Sequence, residues 1–369
     1  MARASRASSD ASRPANTSVS PASGRRLDAA REREVPTSVH YNPVTMLLAG
    51  DVGGTSARFG LFERDGARPR AVVTRSYPTV RFGGILDALG AFLHEADAPR
   101  VEAAAFGVAG PVDGDHAALT NGAWTFDARA LADHLRGARV RLVNDLAAMA
   151  ASLTVLRDDE AMVLQAGAPS PHGGAALLAA GTGLGMAALP RIDGRLRPAP
   201  SEGGHADFAA RNAREDALAA MLRARLGRVR VEDVVSGRGL VAVHAFTHER
   251  TPCAAGLPPW TTEAATVSDA ALDGRCSACA DTLGLFVDAY GAEAGNLALR
   301  TVATAGVWIG GGIAPKVLPA LTTGRFLAAF TDKPPMAGLL ARVPVRVILN
   351  ADAGLLGAAV EAVNARAGP

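Results

Sequence analysis

The 369-residue sequence has no uninterrupted apolar run of about 18 residues, so no transmembrane helix is expected. Cysteine is scarce: only Cys253, Cys276 and Cys279 occur. Three thiols cannot build a disulfide framework, and an odd count fits a reducing, cytoplasmic compartment. Cys276 and Cys279 form a lone CxxC on a predicted helix. With no partnering Cys or His cluster read nearby, they are expected to be ordinary helix residues. Lysine is rarer still, at Lys316 and Lys333 alone, and no Gly-Lys-Ser/Thr follows any glycine run, which excludes a Walker A loop. Residues 1–45 hold seven Arg against four acids, +3 of the net +2, and the rest of the chain is −1. A nearly neutral body argues against nucleic acid as the main partner.

Glycine, in contrast, is plentiful and repeats a pattern. Leu47–Phe62 reads as an apolar strand, a turn with Gly53, Gly54 and Thr55, and a second apolar strand. Ala175–Leu189 repeats it with Gly181, Thr182, Gly183 and Gly185. Glycine lets a bulky anion approach backbone N–H groups without a Cβ in the way. Two such turns predict two lobes gripping one polyphosphate from opposite sides. A third run, Gly310–Gly312, lies between a predicted strand and helix, where Gly311 and Gly312 can pass close to a purine.

Residues 1–45 are rich in Ser, Ala, Arg and Pro without periodicity and are expected to be disordered; with Met46 just before the first strand, they read as an extension from an upstream start codon. From Met46 the chain alternates short apolar strands with helices, the signature of a mixed α/β fold. Strands are expected at 71–76, 101–108 and 140–143, with helices at 84–95, 127–135 and 146–153. A polar loop is expected at 113–123 and another at 250–275. Later helices fall at about 213–226 and 276–301. The last strand, 345–349, and the helix 354–365 are expected to return to the first lobe. This gives a small lobe of 46–155 plus about 346–366, and a large lobe of 156–345.

Asn144-Asp145 sits where a strand runs into a helix. Both residues suit an N-cap, but carboxylates at strand ends also face the crevice where α/β sheets bind ligands. Asp145 is placed to accept the proton of a substrate hydroxyl attacking a γ-phosphoryl group, with Asn144 orienting that substrate. Glu202-Gly-Gly-His205 lets a carboxylate and an imidazole converge on one small polar molecule; no further ligand cluster supports a metal there. Glu232 reads equally as a solvated acid at a helix start or as part of the site.

These motifs resemble the bacterial glucokinase family. Asp51-Val-Gly-Gly-Thr55, Gly110-Pro-Val-Asp-Gly-Asp115 with Thr120-Asn121 and Trp124, Asn144-Asp145, Gly181-Thr-Gly-Leu-Gly185, Glu202-Gly-Gly-His-Ala-Asp-Phe208, Ser236-Gly-Arg-Gly-Leu240 and Gly310-Gly-Gly-Ile-Ala-Pro315 occur in the family's order, from about Met46 to Val363. The resemblance implies a two-lobed actin-like (ribonuclease H-like) ATPase fold with a central cleft, often a homodimer. It also implies transfer of the γ-phosphoryl of MgATP to the 6-hydroxyl of D-glucose. By position, Asp145 resembles the base, and Asn121, Asn144, Glu202, His205 and Glu232 the sugar contacts. Asp51, Gly53, Gly54, Thr55, Gly181, Thr182, Gly183, Gly311 and Gly312 resemble the nucleotide side, with Asp51 holding Mg²⁺ through water. Ser56 departs from the Asn usual after the Thr, which is expected to alter local packing or affinity. The related ROK sugar kinases carry a Cys-rich zinc motif near their Glu-x-x-His loop, and this chain has none there. The alternatives are a kinase for another hexose or an N-acetyl sugar, and a non-catalytic sugar sensor. A regulator would want a helix-turn-helix, and residues 1–45 show no amphipathic helix pair.

Overall fold

The computed structural model describes residues 45–97 and 100–366; the disorder expected over 1–45 lies outside them, Thr45 apart. Residues 46–49, Met-Leu-Leu-Ala, are apolar throughout because the first strand is covered on both sides. Met46 and Leu48 enter a core with Phe59, Leu89, Phe92 and Phe106, whereas Leu47 and Ala49 join Leu355, Ala358 and Ala362 on the opposite face.

The first sheet begins with β1 (Met46–Val52), β2 (Ser56–Glu63), β3 (Arg70–Pro78) and β4 (Val101–Val108), with α1 (Ile85–Glu95) preceding β4. A small three-stranded sheet follows, β5 (Val112–Asp113), β6 (His116–Ala118) and β7 (Thr125–Asp127). The stretch expected to be a polar loop is therefore partly strand. Next come α2 (Ala128–His134), capped by the Asp127 carboxylate, then β8 (Arg139–Asn144) and α3 (Asp145–Ser152).

Beyond α3 lie β9 (Ala161–Gln165), β10 (Ala175–Ala180), β11 (Leu184–Leu189), the short pair β12 (Arg191–Ile192) and β13 (Arg195–Leu196), and β14 (Ala199–Ser201). Helices α4 (Ala213–Leu226), α5 (Gly237–Thr247), α6 (Ala264–Leu272) and α7 (Ser277–Thr301) precede β15 (Gly306–Gly310). The segment read as loop over 250–275 thus carries α6. The chain ends with α8 (Leu318–Leu321), α9 (Arg325–Thr331), α10 (Ala337–Leu340), β16 (Val345–Ile348) and α11 (Ala353–Arg366).

The two large sheets repeat one plan. Their orders are β3-β2-β1-β4-β8 and β14-β11-β10-β15-β16-β9. In each, a central strand pairs antiparallel with its hairpin partner and parallel with a later strand. Two sequence expectations need correction. The strand 345–348 does not return to the first sheet: Val345–Val347 pair parallel with β15, and β9 closes that edge antiparallel. Only α11 returns, packing on β1 and β4. Gly310–Gly312 also do not open a helix, since turns run to Val317 and α8 begins at Leu318. Helix α3 is the connecting piece, packing against β4, β8 and α11 on one side and β10, β11 and β14 on the other.

Candidate active site

The parallel strands of the first sheet end level. Val52 faces Val108, and Val108 faces Asn144. With about 4.8 Å between strands, the ends of β1 and β8 stand about 10 Å apart. Asp51 sits near one end and Asn144-Asp145 at the other, along the carboxyl edge where open α/β sheets bind ligands.

The pair divides its labour. Asn144 is the N-cap of α3: its Oδ1 accepts from the N–H groups of Leu146 and Ala147 at 3.0 and 3.3 Å, and its Nδ2 donates to the Gly110 carbonyl at 3.3 Å. Asp145 is freed from capping and occupies the first helical position, accepting from the Leu146 N–H at 2.9 Å. Burial pushes its carboxyl up to about 6; the Leu146 N–H opposes this, and the Asp51 and Glu202 carboxylates add to it. A carboxyl poised there is mostly ionised at neutral pH yet more basic than an ordinary aspartate, which suits a general base. Burial also raises Asp51, against the pull of Arg58.

The glycine turns take their shape from close backbone contacts. A Cβ on Gly54 would stand 2.0 Å from the Asn121 carbonyl oxygen, so glycine there lets the Asn121 loop seat on the first turn. The Gly53 N–H closes that turn on the Ser56 carbonyl at 2.9 Å, a bond that needs no particular side chain at Ser56. In the second sheet Ala179 faces Gly310, which brings Gly181–Gly183 beside Gly311–Gly312. Gly311 has φ +82°, and a Cβ on it would meet the Ala180 carbonyl oxygen at 2.2 Å. Beneath both turns the buried Tyr290 hydroxyl lies 3.3 Å from the Ala180 N–H and 3.3 Å from the Gly310 carbonyl. Thr55, Thr182 and Gly312 are exposed.

Glu202 and His205 lie on one turn around Gly203–His205, with Glu202 Oε2 3.6 Å from His205 Nε2 and their side chains 84% and 51% exposed. Arginine can only donate, so the 3.3 Å contact from Arg230 to His205 Nδ1 fixes the tautomer with the proton on Nε2. Arg230 also holds Asp233 at 2.6 Å and approaches Glu232 at 3.9 Å. Glu232 is not a solvated acid. It is buried, accepts from the Leu184 N–H at 2.9 Å, and pairs with Arg238 at 2.8 Å. Its carboxylate rests directly against Gly183. The fold thus links the Glu202–His205 loop to the second glycine turn through Arg230 and Glu232. Arg230, Arg238 and Tyr290 were not read from sequence; two arginines flanking a carboxylate within nine residues were the available signal for the first two.

A sequence model of the glucokinase family matches residues 48–365. The chain belongs to the glucokinase family. It is 39% identical over 336 residues to the glucokinase of Nostoc punctiforme, covering 86% of this chain and 98% of that one. The glucokinase of Aromatoleum aromaticum is 39% identical over 324 residues, covering 87% and 96%. Among solved structures, the glucokinase from an Antarctic psychrotroph has a TM-score of 0.77 at 30% identity, covering 86% of this chain and 99% of that one. The fold is therefore the actin-like ATPase fold of glucokinases and ROK sugar kinases, as the motifs implied. Among the described residues no helix is long and apolar enough to cross a membrane.

Proposed function

We propose that this chain transfers the γ-phosphoryl group of MgATP to the 6-hydroxyl of D-glucose, with Asp145 as the base. The observation that carries this reading is the half-buried, proton-hungry carboxyl of Asp145 at the start of α3, the helix that touches both sheets. The O6 proton passes to Asp145 as the O6–P bond forms and the bond from the γ-phosphorus to the β,γ-bridging oxygen breaks, leaving ADP. Asn121, Glu202 and His205 meet sugar hydroxyls from the exposed side. Asn144 contributes the N–H its cap leaves over, and Glu232 the lone pairs that Leu184 and Arg238 do not use. Asp51, Gly53, Gly54 and Thr55 on one side, and Gly181, Thr182, Gly183, Gly311 and Gly312 on the other, hold the nucleotide.

The donor set fits Mg²⁺. Asp51 is a hard oxygen ligand with no hydrogen bond to its carboxylate among the described residues, and burial disfavours its charge until a cation arrives. Held by Asp51, Mg²⁺ would supply charge neutralisation at the phosphates. The two sheets serve as lobes: the first with α11, the second including Val345–Ile348, with α3 between them. Sugar contacts drawn from both sheets make glucose a closing ligand.

Measuring ADP release with glucose, galactose and N-acetylglucosamine tests the assignment. A site whose buried groups pair with particular hydroxyls loses roughly 1–3 kcal/mol for each one turned away. Glucose is expected to exceed galactose by at least about tenfold in kcat/KM. Equal efficiency for the two sugars would overturn the sugar assignment.

A further inference from the structure

The CxxC of Cys276 and Cys279 is not isolated once the chain folds. Cys276 is the N-cap of α7 and Cys279 lies in its first turn. Helix α5 runs alongside and presents His244 and, at its C-cap, His248, one turn apart with rings stacked at 3.9 Å. The α5–α6 connection adds Cys253. His248 Nε2 lies 3.5 Å from Cys276 Sγ and 3.9 Å from Cys279 Sγ, and Cys253 Sγ lies 3.6 Å from Cys279 Sγ. The ligating atoms of His244, His248, Cys253 and Cys279 all fall within 4.8 Å of one another.

A tetrahedral ion with Zn–S near 2.3 Å and Zn–N near 2.05 Å sets its sulfurs about 3.8 Å apart and each sulfur about 3.6 Å from a nitrogen. The observed contacts match those edges to within a few tenths of an ångström. The hydrogen bonds turn the rings the right way. His248 Nδ1 faces the His244 carbonyl at 2.9 Å, which leaves the Nε2 lone pair toward the sulfurs. His244 Nδ1 faces the Pro259 carbonyl at 2.9 Å, and its Nε2 is wholly buried without a hydrogen-bond partner among the described residues. Buried polar atoms are nearly always satisfied, and a backbone carbonyl on the far nitrogen is the usual way a metal-bound imidazole is oriented.

We propose that this cluster is a structural site for a thiophilic divalent cation, Zn²⁺ by chemistry. His248, Cys253 and Cys279 form three vertices, with Cys276 or His244 as the fourth. Binding displaces the thiol protons to solvent, so the ion sits on thiolates. The site fastens α5, α7 and the 249–263 connection at the end of α5 away from the nucleotide. At the other end, the Gly237 N–H holds the Gly181 carbonyl at 2.8 Å. The ion therefore steadies the helix that braces the second glycine turn, without touching substrate.

The full chain, loaded with Zn²⁺ and desalted, is expected to retain about one zinc per protein by mass spectrometry. Cys279→Ser and Cys253→Ser are expected to retain less than about a tenth of that. Co²⁺ in place of zinc gives intense tetrahedral d–d bands and a thiolate-to-cobalt charge-transfer band, whose intensity counts two or three thiolates. Asp145→Asn keeps the metal in full, which separates this site from the catalytic carboxylates. Zinc retained equally by the wild type and Cys279→Ser would overturn the proposal. So would a folded wild type that holds no zinc and shows no cobalt–thiolate band; that measurement decides the matter even if a cysteine variant fails to fold.

Discussion

Replacing Asp145 by Asn separates the chemistry proposed for its carboxylate from what that carboxylate costs the fold. Burial raises the carboxyl from its ordinary 3.8 to about 6. Two units correspond to about 3 kcal/mol by which the ionised side chain is disfavoured in the folded state. The sign follows from proton binding. Between about pH 4 and 6 the folded protein holds a proton that the unfolded chain has released, so stability falls as pH rises through that window. Below it the penalty is absent, and above it the penalty is complete. Asparagine has the same shape, keeps the acceptor for the Leu146 N–H, and cannot ionise. Asp145→Asn is therefore expected to gain about 3 kcal/mol of unfolding free energy at pH 7 and almost nothing at pH 4, while turnover drops about 10²–10⁴-fold. Urea unfolding at both pH values, with an ADP-release assay on the same samples, reads both effects. In the wild type, kcat/KM falls about tenfold per pH unit below about 6. A variant no more stable than the wild type at pH 7, or equally stabilised at pH 4, would refute the burial argument. Near-native turnover would remove Asp145 from the mechanism.

Gly311→Ala forces a left-handed residue and a side chain against the Ala180 carbonyl, at a cost of roughly 1–3 kcal/mol; its KM for ATP is expected to rise about tenfold or more, and an unchanged KM would detach this turn from the nucleotide. Arg230→Ala removes the tether of His205 and takes the guanidinium from Asp233, which keeps only the residue-230 N–H. The KM for glucose is expected to rise about tenfold with that for ATP unchanged, and parallel rises in both would show that Arg230 only supports the fold.

The strand ends that carry the proposed site were legible because they are local. Glycine runs between apolar strands, and Asn-Asp at a strand–helix junction, each announce themselves within a few residues. The division of labour at Asn144 and Asp145 was not, since both residue types cap helices equally well. The four residues Val345–Ile348 carry nothing that names their neighbours, and the strand went to β15 because a parallel partner in the second sheet was available. The cysteine and histidine cluster depended on α5 and α7 packing side by side, which joins residues 23 or more positions apart across the α6 excursion. Arg230 acts through three partners at once, two of them in its own turn and one on the Glu202–His205 loop, so its role emerges only when those two turns meet.

Helix α3 touches both sheets, and Asp145 is its first residue. Where α11 crosses it, Gly357 lies directly on the Ala148 carbonyl, so the two helices meet there backbone to backbone. Points close to a rotation axis travel least. If the two sheets turn by about 10° about an axis along α3, a side-chain end about 5 Å away moves about 0.9 Å, and a group about 15 Å away about 2.6 Å. Asp145, the proposed proton acceptor, would then shift by no more than the ångström that reactive alignment tolerates, while the rims would move about three times as far. Aim and access are set by distance from the same axle, and neither has to be given up for the other.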